Sequence, residues 1–560
     1  MNDKRKTRIT ASVYMPVILA VVLALGFFLG LNLRQPESSP DEGRFFSIGS
    51  ERYNKINDIL NYINDAYVDS ISRTELEDET IKSIMKSLDP HSAYISESDF
   101  QRMNDPLMGS FEGIGIEFNM IKDTVVVIHP IPGGPSEQAG IMPGDRIVMV
   151  GDTVIAGVEK ATNDIVSMLM GEKGTSVDVF VYRPGAPELI EFSLTRDEIP
   201  SYSLDIAYMV DETTGFIRLN KFSATTYREF DQALSALKEE GMENMILDLR
   251  GNGGGFMEAA IQIADELLEP QQLIVYTEGR KRPRATARAR RDGKFETQPL
   301  VVLIDEWSAS ASEIIAGAVQ DNDRGMVIGR RSFGKGMVQE QVQLRDGSAL
   351  RLTVAHYYTP TGRSIQKPYD EGEEAYYNDF IERFHSGELV SPDSIHFDES
   401  LRFETPAGRI VYGGGGIMPD IFVPLGRAGE RSFYNRITNL GYIYLFAFDY
   451  ADRNRENLGE YDDAENFVDR FSVSTRTYNE FLGYLREQGM EIPGQVSRGN
   501  QELIRTNLKA YIGRNMFGAE AFYPVLHTVD QAFEKAVEAL RDEEIMAQLQ
   551  APRTEKEELQ

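Results

Sequence analysis

The sequence predicts an α/β multidomain protein, and three observations carry that expectation. At 560 residues the chain has room for several domains of about 100–200 residues each. Residues 198–430 alternate strand-like apolar runs with helix-like segments, the pattern of a layered α/β domain. Residues 105–197 hold short strand-like runs broken by glycine and proline, and residues 431–560 hold amphipathic helical segments.

Composition narrows the function. With 41% hydrophobic and 26% charged residues the chain is ordinarily globular, and its net charge of −30 argues against general nucleic-acid binding, which needs a basic face. One local exception, "GRKRPRATARARR" (279–291), reads as a solvated basic hairpin. The absence of cysteine removes thiol nucleophiles, disulfides and Cys-ligated zinc. The six histidines are scattered without an HExxH pattern, so neither a metal nor a cofactor is expected.

The N-terminus opens with Lys4, Arg5, Lys6 and Arg8, then runs uncharged and mostly apolar over 13–33, long enough to span a bilayer. The flanking charges predict a signal anchor with residues 1–12 in the cytoplasm and the rest outside. A cleaved signal peptide is the rival, but the run is long for an h-region and no clear A-x-A site follows. Residues 34–50 read as a polar linker. Residues 51–104 read as a helical region whose pattern "DPHSAYIS" breaks at Pro90.

In 105–197, "GIGIEF" (113–118) and "TVVVIHPI" (124–131) read as strands, "AGIMPGDRI" as a turn into a strand, and "TNDIVSMLMGEKGT" as a helix. This stretch resembles a PDZ domain. The resemblance implies that backbone N–H groups of Gly113, Ile114, Gly115 and Ile116 receive a C-terminal carboxylate while the peptide adds as a strand. A small β-domain with no ligand is the alternative.

The third region carries the chemistry. "LVVLIDEWSASASEIIAGAVQ" is a strand, a short turn and a helix, with Ser308, Ser310 and Ser312 crowded into the turn. A serine there is explained by capping alone, yet the helix N-terminus also suits a nucleophile, because exposed N–H groups stabilise a developing oxyanion. A base is then needed. "GRRSFGKG" (329–336) begins like a phosphate loop, but Gly336 stands where Ser or Thr would hold Mg²⁺, and "GMVQEQVQL" after it alternates like a strand. Lys335, flanked by Phe333 and two glycines, can instead be desolvated into a neutral base. Gln339, four residues on, can share a face with it and orient its amine.

"SASASEIIAGAVQD", "GRRSFGKGMVQ", "HYYTPTGRSIQ" and "GGGGIMPDI" together resemble the carboxy-terminal processing peptidases of family S41 over about residues 50–425. The resemblance implies an α/β (crotonase/ClpP-like) peptidase core, Ser310 as nucleophile, Lys335 as general base 25 residues later, and Gln339 in support. It also implies an oxyanion hole from Gly253 or Gly254 of "DLRGNGGG" with Ala311. Protein substrates with apolar C-terminal tails, a membrane contact through the N-terminal helix, helical-arm oligomers and a site on the periplasmic side of a bacterial inner membrane are the corresponding expectations. A non-catalytic PDZ scaffold predicts a missing or separated serine-lysine pair. An acyl-CoA enzyme of crotonase type predicts no PDZ insertion and no anchor.

Overall fold

In this computed structural model, residues 54–183, 185–426 and 432–542 are described. The predicted anchor at 13–33 and the linker at 34–50 lie outside them, and among the described residues no helix is long and apolar enough to cross a membrane. The chain divides into two compact units, residues 1–77 and 78–560. In the first, Asn54 caps the helix Lys55–Ala66, and Arg73 bonds to Asn57, Asn61 and Glu77.

The second unit is built on a six-stranded sheet. Its order is Leu204–Met209, Thr214–Leu219, Asn244–Asp248, Leu300–Ile304, Met326–Gly329 and Ile421–Phe422, with the first pair antiparallel and the others parallel. Side chains alternate across it, as the strand period requires. Leu247, Leu300, Val302 and Ile304 face one core with the helices Thr226–Glu239, Met257–Leu267 and Ala311–Asp321. Ile246, Val301, Leu303 and Ile328 face the other, which is covered by Ala532, Phe533, Ala536 and Leu540 of the helix Gln531–Arg541. The helix Gln531–Arg541, beyond the boundary expected at residue 430, thus closes the second face of this sheet. An amphipathic pattern shows that a face will be buried but not against which surface.

A second sheet runs Ala93–Ile95, Ala349–Tyr358, Leu273–Glu278, Ala285–Arg288, with Met337–Gln343 also paired to Ala349–Tyr358. Here "DPHSAYIS" is more than a helix breaker, because Ala93–Ile95 pairs antiparallel with Ala349–Arg351. A strand of three residues has too few alternations to show in sequence.

The β-rich insertion forms its own six-stranded sheet around Val125, Val127, Ile147, Val179 and Leu194. The "GIGIEF" strand begins later than expected. Ile116–Met120 is the edge strand of this sheet, while Ser110–Gly113 pairs with Asp197–Pro200 instead. Gly115, at φ +73°, makes the break between them, and a Cβ there would come within 2.9 Å of Ile199 Cδ1. Beyond residue 431, helices from Ser432 to Phe517 close around Phe446, Phe467, Phe481 and Leu508.

Candidate active site

The turn after strand Leu300–Ile304 separates its three serines by what they touch. Ser308 is fully buried, donates to Leu249 O at 2.8 Å and accepts from Asp305 N–H at 2.9 Å. Ser312 is fully buried and donates to Asn252 O at 2.9 Å. Both tie the turn to the 248–255 run. Ser310 alone is partly exposed, and its backbone is held at φ 57°, ψ −112°, in the left-handed half of the map that a non-glycine residue avoids.

Glu313, which the sequence presented only as part of the motif, is the hub. Its carboxylate is fully buried and gathers four donors. Oε2 accepts from Ser310 N–H at 2.8 Å and Lys335 N–H at 2.9 Å, and Oε1 from Ser332 Oγ at 2.5 Å and Gly334 N–H at 2.7 Å. One side chain thus pins the serine turn to the F-G-K-G turn. Burial raises its pKa, and these hydrogen bonds pull against that shift. The F-G-K-G turn also needs its glycines. Gly334 lies at φ +88°, and a Cβ there would stand 3.0 Å from Gly416 N in the "GGGG" run.

Burial and the charge of Arg351 push the Lys335 amine below its ordinary value, against the pull of Glu313 and Asp89. Among the described residues no hydrogen bond or ion pair engages Lys335 Nζ, including any to Ser310 Oγ. The second buried lysine nearby, Lys367, is spoken for. It pairs with Asp379 at 3.2 Å and lies over the rings of Phe333 and Tyr376. Gln339 Nε2 donates to Thr353 Oγ1 at 3.3 Å, and Thr353 Oγ1 donates at 3.0 Å to Asp89 Oδ1, the carboxylate whose charge acts on Lys335. A register shift between Val338 and Gln339 sets Gln339 opposite Thr353. His91, far away in sequence, is brought close enough to feel the Lys335 charge. Burial and that charge pull it down to about 4, and its ring Nε2 lies 2.9 Å from Tyr376 OH.

The 248–255 run packs directly on the serine turn. A Cβ at Gly254, where φ is +96°, would lie 2.7 Å from Ala309 O and from Ser310 Cβ. Its N–H donates to Asn252 Oδ1 at 2.9 Å. The N–H groups of Gly253 and Ala311 meet no acceptor among the described residues. The helix bearing Ser310 is fixed at its far end by Asp321, whose Oδ1 accepts from the fully buried Arg363 Nη2 at 2.7 Å. Among the described residues no cluster of acidic or histidine side chains could hold a metal ion.

Away from these turns, an apolar pocket of about 270 Å³ is lined by Gly113, Ile114, Gly115 and Ile116 with Phe118, Val166 and Leu169. Ile114 O anchors the loop from behind, accepting from Ser136 N–H at 3.1 Å and Ser136 Oγ at 2.7 Å.

A model of peptidase family S41 matches residues 213–371, and a PDZ-domain model matches 113–194. The carboxy-terminal processing protease CtpA of Bacillus subtilis is 34% identical over 322 residues, covering 57% of this chain and 68% of that protein. The carboxyl-terminal-processing protease of Synechocystis sp. is 33% identical over 361 residues, covering 62% of this chain and 82% of that protein. The chain belongs to the carboxy-terminal processing proteases. It is a serine peptidase of family S41 with a PDZ domain, an α/β core and C-terminal helices. Among solved structures, a photosystem II D1 C-terminal processing protease is 27% identical and covers 66% of this chain and 92% of its own, with a TM-score of 0.34. Residues 433–518 match a family of unknown function.

Proposed function

We propose that this carboxy-terminal processing protease hydrolyses peptide bonds through a Ser310–Lys335 dyad, on protein substrates whose C-terminal tails dock in the PDZ pocket. The observation that carries the proposal is the Glu313 hub, which draws the one solvent-reachable serine of the turn and the unpaired Lys335 onto the same buried carboxylate. Ser310 Oγ attacks the peptide carbonyl while Lys335 takes its proton and returns it to the leaving amine. The tetrahedral oxyanion is received by the N–H groups of Gly253 and Ala311. Water then hydrolyses the ester with Lys335 again as base. The Lys335–Ser310 hydrogen bond forms when substrate occupies the site, as catalytic contacts commonly close only in the substrate complex. The tail carboxylate sits on the Gly113–Ile116 loop and its apolar side chains enter the pocket beside Phe118, Val166 and Leu169. Residues 13–33 anchor the enzyme in a membrane, with the catalytic part on the extracytoplasmic side.

The test is cleavage of an unstructured protein with an apolar tail by the full chain, by Ser310→Ala and by Lys335→Ala. The parent is expected to cut and neither variant to do so, with amidation of the tail raising KM. Undiminished cutting by Ser310→Ala would refute the nucleophile.

A further inference from the structure

The region matching a family of unknown function, residues 433–518, touches the PDZ domain, and the chain that follows it touches the peptidase core. On one side it holds the PDZ sheet. Phe448 packs with Val126 and Ile128, and Asn119 Nδ2 donates to Tyr444 OH at 2.9 Å. Arg514 pairs with Glu117 at 3.0 Å, and its carbonyl lies 2.9 Å from His129 Nε2. These contacts fall on Ile116–Met120 and Val125–Pro130, and Ile116–Met120 is the edge strand that lines the tail pocket.

On the other side the chain runs on through Ala519–His527 to Asp530, which is bonded in two directions. Its Oδ1 caps the helix Gln531–Arg541, accepting from Ala532 N–H at 3.0 Å and Phe533 N–H at 3.2 Å. Its Oδ2 meets Arg250 Nη1 at 2.8 Å. Arg250 also holds Asp248 through Nε at 2.9 Å and Nη2 at 2.7 Å, while its carbonyl accepts from Arg218 Nη2 at 3.0 Å. Three residues later stands Gly253. It has no side chain, and nothing lies within 4 Å of where a Cβ would be. Its position is therefore set by its neighbours, the fully buried Asn252 and the clamped Arg250. Charge-assisted contacts of this kind fix orientation as well as adding energy.

We propose that Asp530 is a positioning residue for the oxyanion run. We propose further that residues 433–541 form a brace through which the PDZ edge strand bears on that run. This rests on Gly253 being the oxyanion donor and on tail binding at the PDZ pocket. Without Asp530, the Arg250 side chain keeps only its contacts to Asp248, and the run after it rests on the Arg218 bond to the Arg250 carbonyl and on the ties of Gly251 and Asn252. Misplacement by about 1 Å at a reacting centre costs on the order of 100-fold in rate.

The experiment uses the full chain as parent, Asp530→Asn, Asp530→Glu and Phe448→Ala. Asp530→Asn is expected to lower kcat at least about tenfold, with the affinity for a free tail peptide unchanged. Amide hydrogen exchange should quicken at residues 250–254 but not in strand Leu300–Ile304. Asp530→Glu, which keeps the charge, should recover most of the loss. Phe448→Ala should leave cutting of a tail-amidated substrate at the parental rate while shrinking the advantage of a free tail. Parental kcat and parental exchange in Asp530→Asn would overturn the positioning role. Exchange raised across the whole sheet, with no recovery in Asp530→Glu, would reduce Asp530 to a helix cap and overturn it equally. An undiminished tail advantage in Phe448→Ala would overturn the brace. Equal activity of Ser310→Ala and parent would instead sink the peptidase mechanism, and the exchange readout stands apart from that result.

Discussion

Replacing Glu313 by glutamine changes one atom at the centre of the site. Glu313 has two oxygens, and each accepts two donors. If the new amide nitrogen stands at Oε2, the N–H groups of Ser310 and Lys335 both face a donor. If it stands at Oε1, Gly334 N–H is stranded and the Ser332 hydroxyl, which also accepts from Ile417 N–H at 2.6 Å, must turn. A buried donor left without an acceptor costs about 1–3 kcal/mol, so the first orientation, with two stranded donors, costs about 2–6 kcal/mol and the second, with one, about 1–3 kcal/mol. The less costly orientation prevails, and at about 2–4 °C per kcal/mol the melting transition should fall by at least about 2 °C. The kinetic loss is larger than the stability loss implies. The serine and lysine turns lose their common tether, and kcat should drop on the order of 100-fold. Cleavage of an unstructured substrate under saturation, beside a calorimetric scan, measures both. The affinity for a tail peptide should stay parental, because the PDZ pocket makes no contact with Glu313, and this separates a local fault from misfolding. The emission of Trp307, the single tryptophan of the chain and three residues before Ser310, reports whether the turn keeps its packing on Phe380. A Glu313→Gln enzyme with parental kcat and parental Tm would refute the hub.

Further outcomes follow from the same geometry. Lys335→Met should abolish cleavage yet stabilise the fold. The folded state holds this lysine below its ordinary value, so the charged amine is a burden that is full below the depressed pKa and fades as pH rises toward the unfolded value. The stability advantage of Lys335→Met over the parent should therefore be largest at low pH and shrink in alkali, as paired urea melts across pH will show. By the same shift, kcat/KM of the parent should rise with pH through the lowered lysine pKa and then level off, and a flat profile with chemistry rate-limiting would count against a lysine base. Gly254→Ala places a methyl 2.7 Å from Ala309 O and from Ser310 Cβ, at a φ that alanine avoids, and should lose nearly all activity while tail affinity is kept. Arg363→Met leaves Asp321 buried without its ion-pair partner at the end of the Ser310 helix, and should destabilise the core by about 3–5 kcal/mol in denaturant melts.

Much of this protein was legible without a structure. The near-continuous apolar runs at 245–249 and 300–304 read as buried strands, and the strand-turn-helix around Ser310 marks where a nucleophile can stand, because apolar pattern and turn chemistry are local properties of the chain. The spacing of Ser310 and Lys335 within the family motifs identified the residues to test. Other features depended on the fold. Three serines in one turn are alike in sequence, and only burial and the carbonyls of Leu249 and Asn252 tell Ser308 and Ser312 from Ser310. Gly253 and Gly254 are equivalent glycines until Asn252 takes one of their N–H groups. Gln339 points to Thr353 because of a one-residue register shift that no pattern announces. His91, Asp530 and the helix Gln531–Arg541 are joined to the site or its sheet across long stretches of chain. Local sequence dictates which elements form and which faces they bury. Which atom of one element meets which atom of another is set by how the elements pack, and the chemistry of this site is decided there.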